Sequence, residues 1–171
     1  MRSIYAVACS AMVMLSAFTA CSNDDNNSFE LTPEQIAHYE KNREYIREKK
    51  QEKDANGKLV YEQLVKYGDT TLYRVIDRKA ETPKYPTSSS NLNFELDGHF
   101  IDGTTFQNKI KENFVVGNLI TGLKGVILET SVGDSIEAIL PSTLGYDYQL
   151  GQGNIPFGST LIFNYRVEEA K

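Results

Sequence analysis

The chain contains no tryptophan, and it has only two histidines and two cysteines among its 171 residues. So few imidazole and thiol groups leave little material for a catalytic triad or a cysteine metal site. The serines also lack the Gly-x-Ser-x-Gly surroundings of a nucleophile elbow. A Ser-His-Asp hydrolase is therefore not expected. A formal net charge of −5 offers no basic footprint for nucleic acid.

The first 20 residues have the pattern of an export signal. Arg2 supplies the positive end, and Ile4–Phe18 is an apolar run shorter than the roughly 20 residues that a bilayer-spanning helix needs. Small residues then precede Cys21, which resembles a bacterial lipoprotein signal. In such proteins the leader is removed and the cysteine carries the lipid. An ordinary secretory signal with a coincidental cysteine is the alternative.

Lipidation would use the thiol of Cys21, and Cys9 would leave with the leader. The exported domain would then have no disulfide and no cysteine metal site, so its apolar core must hold it together. Residues 21–31 are mostly polar and are predicted to be a flexible tether. Together these features predict a lipid-anchored protein of the cell envelope, on the outer membrane and facing either the periplasm or the surface.

Residues 32–66 are predicted to be a largely helical segment. Thr32-Pro33-Glu34-Gln35 combines a capping box with proline at the first helical position. The charged run that follows, to Lys53, has only a narrow apolar stripe. We expect a solvated helix that rests lightly on the domain or stands off it as a spacer, and a partner-binding helix is a third interpretation. Lys58–Tyr67 fits a short helix or a strand, and we favour the helix.

From residue 67 onward, short β-branched and aromatic runs alternate with turns. A loop is predicted at Thr82–Ser90, a tight turn at Asp102-Gly103, and strands at Thr71–Ile76, Leu92–Ile101, Ser135–Leu140 and Thr160–Val167. The one helix expected here is Asn118–Leu128, whose apolar residues fall on one face. Residues 67–171 are thus predicted to form an α+β domain with antiparallel strands wrapped on one short helix.

Two polar patterns in the sequence resemble metal or cofactor sites. Glu95, Asp97 and His99 alternate along one predicted strand and should project from one face, where they could bind a divalent metal. The solvent-facing half of an ordinary strand gives the same pattern, and we prefer that interpretation. Gly151-Gln152-Gly153-Asn154 lacks the third glycine and the flanking strand and helix of a dinucleotide loop. No cofactor and no metal are predicted.

Short motifs follow one another near the end of the chain: Asp102-Gly103-x-x-Phe106, Ile120-Thr121-Gly122-Leu123, Val132-Gly133-Asp134, Leu144-Gly145-Tyr146 and Ile155-Pro156-x-Gly158. In order and spacing, from Leu72 to Val167, they resemble the FKBP-type peptidyl-prolyl cis-trans isomerases. The resemblance implies an FKBP-like domain, here in a lipoprotein of the Bacteroidetes kind. It also implies prolyl cis-trans isomerisation without a cofactor, in an apolar, aromatic-walled cup that holds a proline.

The resemblance assigns roles to the matching positions. Phe106 matches the phenylalanine that forms one wall of the family's pocket. Ile120 matches the residue whose backbone N–H donates to a substrate carbonyl, and Tyr146 matches the tyrosine whose hydroxyl donates to the substrate. The further apolar contacts that it implies are Leu119, Ile155 and Phe163.

Three positions depart from the family pattern. The tryptophan that floors the family's pocket is Leu123 here, and the tyrosine expected two residues before Gly98 is Leu96. The aspartate expected after Phe106 is Gln107. A leucine floor keeps the pocket apolar but removes aromatic area, so proline would bind less tightly.

The sequence therefore predicts a weak FKBP-type isomerase acting on proline-containing segments of envelope or exported proteins. Rotation about an X–Pro bond faces a barrier of about 18–20 kcal/mol, yet it moves no proton and breaks no covalent bond. The scarcity of titrating groups is compatible with such a reaction. The alternative is a non-catalytic FKBP-fold lipoprotein that binds peptides or acts like a chaperone. The expected partners are proline-containing polypeptides and, through the lipid, the membrane.

Overall fold

The computed structural model describes residues 30–79, 81–146 and 154–171, and Leu31–Lys171 form one compact unit. The predicted export signal, Cys21 and nearly all of the predicted tether lie outside the described residues. So do residues 147–153, the middle of the glycine- and tyrosine-rich loop before the last strand. In the described ranges, no helix is both long enough and apolar enough to cross a membrane.

A single antiparallel sheet organises the described part of the chain. Its elements are α1 (Pro33–Gln51), β1 (Glu62–Lys66), β2 (Asp69–Asp77), β3 (Asn91–His99), β4 (Thr105–Val115), α2 (Thr121–Ile127), β5 (Ser135–Leu140) and β6 (Leu161–Ala170). The strands lie in the order β1-β2-β5-β6-β3-β4, and every pairing is antiparallel. The predicted α+β arrangement is confirmed.

One face of the sheet packs against α2 and forms the main core. Side chains alternate between faces along a strand, so every second residue of the inner strands points to this helix. The buried members of this core on β3, β5 and β6 are Leu92, Phe94, Leu96, Ile136, Ala138, Leu140, Leu161, Phe163, Tyr165, Val167 and Ala170. Burying one such aliphatic or phenylalanine side chain contributes about 1.5–3 kcal/mol.

Close approach of α2 to the sheet depends on a glycine. A Cβ added at Gly122 would lie 2.7 Å from Cγ of Leu140 and 3.2 Å from Cβ of Leu144. Any larger residue would push the helix off β5. With seven residues, α2 is too short to be stable in water, so its packing against the sheet holds it in place.

The other face of the sheet carries α1. Ile46 of α1 is 8% exposed and joins Tyr61, Leu72 and Ile139 in a second, smaller core. The predicted capping box at Thr32 and Gln35 is present. Of the two expected arrangements, the structure shows the packed helix and not the spacer.

A buried asparagine fixes α1 to the start of β6. Asn42 is 3% exposed, and its Oδ1 accepts the backbone N–H of Thr160 at 2.8 Å. The backbone carbonyl of Asn42 also accepts the Thr160 hydroxyl at 3.2 Å. The sequence did not reveal this contact, because a single asparagine in a charged helix looks like a solvent-facing residue.

The preference for a helix at Lys58–Tyr67 is wrong. Glu62–Lys66 form β1, which pairs with β2 across a two-residue turn. Tyr67 and Gly68 have φ values of 57° and 87°, as a type I′ hairpin turn requires. A tyrosine at the first of these positions is an unusual turn residue, which hid the hairpin. The predicted domain boundary at residue 67 stays a prediction.

Other predicted elements need smaller changes. The predicted loop at Thr82–Ser90, the turn at Asp102-Gly103 and the four strands are present, with ends that shift by up to a few residues. The helix expected from Asn118 begins at Thr121, because Val116–Asn118 form a 3₁₀ turn. Strand β4 was not predicted, because it is an edge strand whose exposed positions carry charged residues and whose apolar alternation is sparse.

The contact between Asn42 and Thr160 gives a stability prediction. Replacing Asn42→Ala leaves the buried Thr160 N–H without its acceptor, so the free energy of unfolding should fall by about 1–3 kcal/mol. Urea denaturation measures this change. Glu48→Ala on an exposed part of the same helix is the control and should change stability by less than about 0.5 kcal/mol. Equal losses in the two variants would contradict the proposed clamp.

Candidate functional site

A cavity of about 490 Å³ lies between the N-terminal end of α2 and strands β3, β4 and β6. The segment before α2 and the described ends of the loop that precedes β6 complete its wall. Its lining residues are Leu96, Phe106, Gln107, Ile110, Phe114, Asn118, Leu119, Ile120, Leu123, Tyr146, Asn154, Ile155 and Phe163.

All the positions that the sequence analysis assigned to a proline cup line this cavity, namely Phe106, Leu119, Ile120, Tyr146, Ile155 and Phe163. The departing positions Leu96, Gln107 and Leu123 line it as well. Ile110, Phe114, Asn118 and Asn154 also line the cavity, although none of them was predicted as a site residue. Even spacings place residues on one face of a strand, and β4 has apolar residues at every fourth position, namely Phe106, Ile110 and Phe114. Recognising β4 as a strand would therefore have placed Ile110 and Phe114 beside Phe106.

Two aromatic rings form one wall, and a third ring supports them. The ring of Phe106 meets that of Phe163 edge-on, with centroids 5.4 Å apart and planes at 88°. Phe100 packs on Phe106 from another side, with a centroid distance of 5.0 Å. Edge-to-face and tilted pairs of this kind contribute about 0.5–1.5 kcal/mol each beyond the buried area. The half-buried Phe106 ring is therefore held in place by its neighbours.

Gly98 on β3 makes room for the Phe106 ring. A Cβ at this position would lie 2.5 Å from Cζ of Phe106, closer than real Cβ contacts allow. The pairing of β3 with β4 also shifts register on both sides of Gly98. Such irregularities redirect side chains. They explain how the adjacent residues Phe106 and Gln107 can both line the cavity.

The backbone of Ile120 offers a hydrogen-bond donor. Ile120 is the N-cap of α2, with φ −57° and ψ 148°, and its carbonyl accepts the N–H of Lys124 at 3.0 Å. The N–H groups at the start of a helix have no acceptor within the helix. Within the described part of the chain, no acceptor contacts the Ile120 N–H. A carbonyl of a bound molecule can therefore receive this hydrogen bond.

The floor and rim of the cavity are uncharged. Leu123 is 2% exposed and forms the floor, and Gln107 donates from Nε2 to the backbone carbonyl of Asn108 at 2.9 Å. The described lining residues are apolar, carry amides or, in Tyr146, carry a phenol. None of these side chain types titrates near neutral pH. The site is suited to hold an apolar ring and to donate a few hydrogen bonds.

Glu95, Asp97 and His99 lie apart from this cavity. They share one face of β3 as expected, and each is only partly exposed. His99 Nε2 is 2.6 Å from Asp97 Oδ2, and Lys109 Nζ is 2.5 Å from Glu95 Oε1. Among the described residues, no group of three or more metal-binding side chains is brought together.

Comparison with known sequences agrees with this geometry. The sequence model of the FKBP-type peptidyl-prolyl cis-trans isomerase family matches residues 82–168. The chain is 32% identical over 73 residues to peptidyl-prolyl cis-trans isomerase FKBP9 of Bos taurus, which covers 42% of the chain and 12% of that protein. Against the Homo sapiens protein of the same name it is 29% identical over 86 residues, covering 47% and 15%. The chain thus spans only a small part of the length of these relatives.

Solved structures show the same fold. A peptidyl-prolyl cis-trans isomerase from Pseudomonas syringae superimposes with a TM-score of 0.67 at 19% identity, covering 84% of this chain and 99% of that one. FkpA from Escherichia coli gives a TM-score of 0.66 at 22% identity, covering 81% and 61%. At these identities the likeness establishes the fold, and the predicted FKBP-like fold class is confirmed.

The contact between Gly98 and the Phe106 ring gives a second prediction. Gly98→Ala should displace the ring, cost about 1–3 kcal/mol of folding free energy and shift the NMR signals of the Phe106 ring protons. Gly125→Ala is the matched control, because its Cβ would meet atoms no closer than 3.4 Å and the helix would gain an alanine. Unshifted Phe106 signals in the Gly98→Ala protein would contradict this account of the wall.

Proposed function

Because the chain belongs to the FKBP-type peptidyl-prolyl cis-trans isomerase family, we propose that it accelerates rotation about X–Pro bonds in exported polypeptides. One observation carries the proposal. The residues that match the family's pocket surround a single apolar cavity, and the Ile120 N–H stands at its edge without an acceptor in the described chain.

The chemistry of the cavity suits this reaction. A planar amide has charge separated between its oxygen and its nitrogen, and the twisted amide of the transition state has less. An apolar cup therefore favours the twisted form over the planar one, and only such differential binding accelerates a reaction. In this mechanism Phe106 and Phe163 hold the proline ring, and the Ile120 N–H positions a neighbouring carbonyl. No proton is transferred, so the lack of titrating groups is no obstacle.

The residue at the floor of the cavity determines how strong a catalyst we expect. Leu123 occupies the position of the family's tryptophan. The cavity therefore lacks the ring face against which proline packs in the family. Leu96 and Gln107 remove a polar pair from the rim. We therefore expect weak catalysis. The same substitutions favour the second candidate function, peptide binding or chaperone-like action by a protein that keeps the cavity but lacks isomerase activity.

The proposed location is the cell envelope, with the protein anchored by lipid on Cys21. The small residues before this cysteine and the polar run after it support the anchor. Cys21→Ser should release the protein from the membrane fraction and abolish its metabolic labelling with palmitate. Labelling that persists in the variant would rule out lipidation at this position.

A prolyl isomerisation assay without a coupled protease tests the proposed function. The protein should accelerate the isomerisation of a short Leu-Pro peptide, and Phe106→Ala should reduce kcat/KM at least about tenfold, or roughly 1.4 kcal/mol in activation free energy. Tyr85→Ala, at an exposed aromatic residue outside the cavity, is the control and should keep the activity. A folded protein without any acceleration would favour the peptide-binding function instead.

Restoring the family's aromatic residues separates the two candidate functions further. In the double variant Leu96→Tyr and Leu123→Trp, the cavity regains aromatic area, and kcat/KM should rise by about tenfold or more. A rise from almost nothing would identify the natural site as a reduced isomerase pocket. Unchanged or lower kcat/KM in the folded variant would show that the leucine floor does not limit turnover.

A further inference from the structure

One wall residue of the proline cup, Ile155, is joined to a short segment that contacts α1. Ile155 lines the cup, and residues 156–160, here called the pre-β6 segment, lead from it into β6. The family model matches residues 82–168, so it includes this segment but not α1. The helix residues that contact the segment are His38, Tyr39 and Asn42. The support for this wall therefore comes from outside the range that matches the family.

The hydroxyl of Ser159 connects α1 to the residue beside Ile155. Ser159 is 3% exposed, and its Oγ donates to the backbone carbonyl of Pro156 at 2.8 Å. Nε2 of His38 lies 2.9 Å from the same hydroxyl. The backbone N–H of Ser159 also donates to the Pro156 carbonyl, at 3.3 Å. The Ser159 side chain therefore contacts the helix and the residue directly after Ile155 at the same time.

The ring of Tyr39 packs on the same segment. It stacks on the ring of Phe157, with centroids 6.0 Å apart and planes at 25°. A Cβ added at Gly158 would lie 2.8 Å from Cδ2 and 3.2 Å from Cα of Tyr39, so the close approach of the helix requires glycine here. Gly158 also has a φ of 80°, in the left-handed region that glycine favours. The helix and the segment therefore fit each other closely at Tyr39.

A third contact fixes the end of the pre-β6 segment. Thr160 is 1% exposed, and its backbone N–H donates to Oδ1 of Asn42 at 2.8 Å. The Thr160 hydroxyl donates to the backbone carbonyl of Asn42 at 3.2 Å. Three successive residues of the segment, Gly158, Ser159 and Thr160, thus each contact α1. The helix therefore fixes the path of the chain between Ile155 and β6.

Ile155 needs this support more than the other walls of the cup. Phe106 and Phe163 belong to strands β4 and β6, whereas Ile155 lies outside the helices and strands. A side chain in a connecting segment is held less firmly than one in a sheet. Attraction between apolar atoms falls steeply when a gap of even 0.5–1 Å opens between them. Tight contact between Ile155 and a bound peptide therefore depends on the segment that holds Ile155.

We propose that α1 positions the Ile155 wall of the cup, and that Ser159 and Tyr39 are the positioning residues through which it acts. Neither of them lines the cup, so both act on a bound peptide only through Ile155. The inference rests on the proposed function, since it takes the cup as the site that binds the peptide. It goes beyond that function because it makes a helix outside the family match necessary for the full affinity of the site.

The NMR signal of the Ile155 δ1-methyl group, measured on the full chain without peptide, reports the position of the wall. Ser159→Ala and Tyr39→Ala should each shift this signal, whereas Tyr39→Phe keeps the ring and should leave it nearly unchanged. Ser131→Ala is the matched control, because it removes another buried serine hydroxyl, whose Oγ accepts the Lys84 N–H at 3.0 Å outside the cup. An unshifted Ile155 signal in the folded Ser159→Ala and Tyr39→Ala proteins, or an equal shift in Ser131→Ala, would overturn the proposal.

Isomerisation kinetics test whether Ser159 acts through Ile155. A wall contacts the peptide before and during bond rotation, so Ser159→Ala should raise KM about three- to tenfold and change kcat by less than about twofold. Ile155→Ala should raise KM at least as much. The double variant Ser159→Ala/Ile155→Ala should then have the KM of Ile155→Ala alone. Two effects on KM that multiply in the double variant would show that Ser159 does not act through Ile155.

The outcomes separate this inference from the proposed function. If a short Leu-Pro peptide is not isomerised, the proposed function fails, and the same variants are compared by fluorescence anisotropy with the labelled peptide. A Kd that rises in Ser159→Ala but not in Ser131→Ala, with no further rise from Ile155→Ala to the double variant, supports the positioning role in a non-catalytic protein. A Kd that is the same in Ser159→Ala as in the natural protein, or no binding to the natural protein, overturns it.

Discussion

The site depends on a mismatch in length between α2 and the sheet that it covers. Seven helical residues extend about 10 Å, whereas the eleven residues of β4 extend roughly 36 Å. The helix cannot cover the whole apolar face of the sheet. Beyond its N-terminal end, Phe106, Ile110 and Phe163 face a cavity instead of a neighbouring helix. The cup is thus the uncovered end of the main core, and the packing that stabilises the fold also fixes its walls.

The same geometry suits the proposed chemistry. Where the short helix begins, the N–H of its N-cap residue points to no acceptor in the described chain, so the cavity combines apolar walls with a donor. Bond rotation needs little more, because it involves neither a proton nor a nucleophile. The leucine floor lowers the contact area available to proline, but it leaves the apolar walls and the hydrogen-bond donor in place.

Most of the fold and the cup could be predicted from the sequence, because both depend on local patterns. Period-two apolar runs specify the inner strands, and the motifs around Phe106, Ile120 and Tyr146 keep the family's spacing. Contacts between distant residues were not predictable in the same way. The hairpin at Tyr67 has an unusual turn residue, β4 has the polar composition of an edge strand, and Asn42 becomes a buried clamp only when Thr160 is brought against it.

NMR titration with a Leu-Pro peptide tests the central claim, that this cavity binds proline and catalyses cis-trans isomerisation of the bond before it. The account predicts that the Ile120 amide signal shifts on binding and that exchange peaks appear between the cis and trans forms of the peptide at mixing times without uncatalysed exchange. Exchange peaks with an unperturbed Ile120 amide would place the activity elsewhere. A shifted Ile120 amide without exchange peaks would indicate a protein that binds the peptide without catalysing its isomerisation. The absence of both effects would contradict the account altogether.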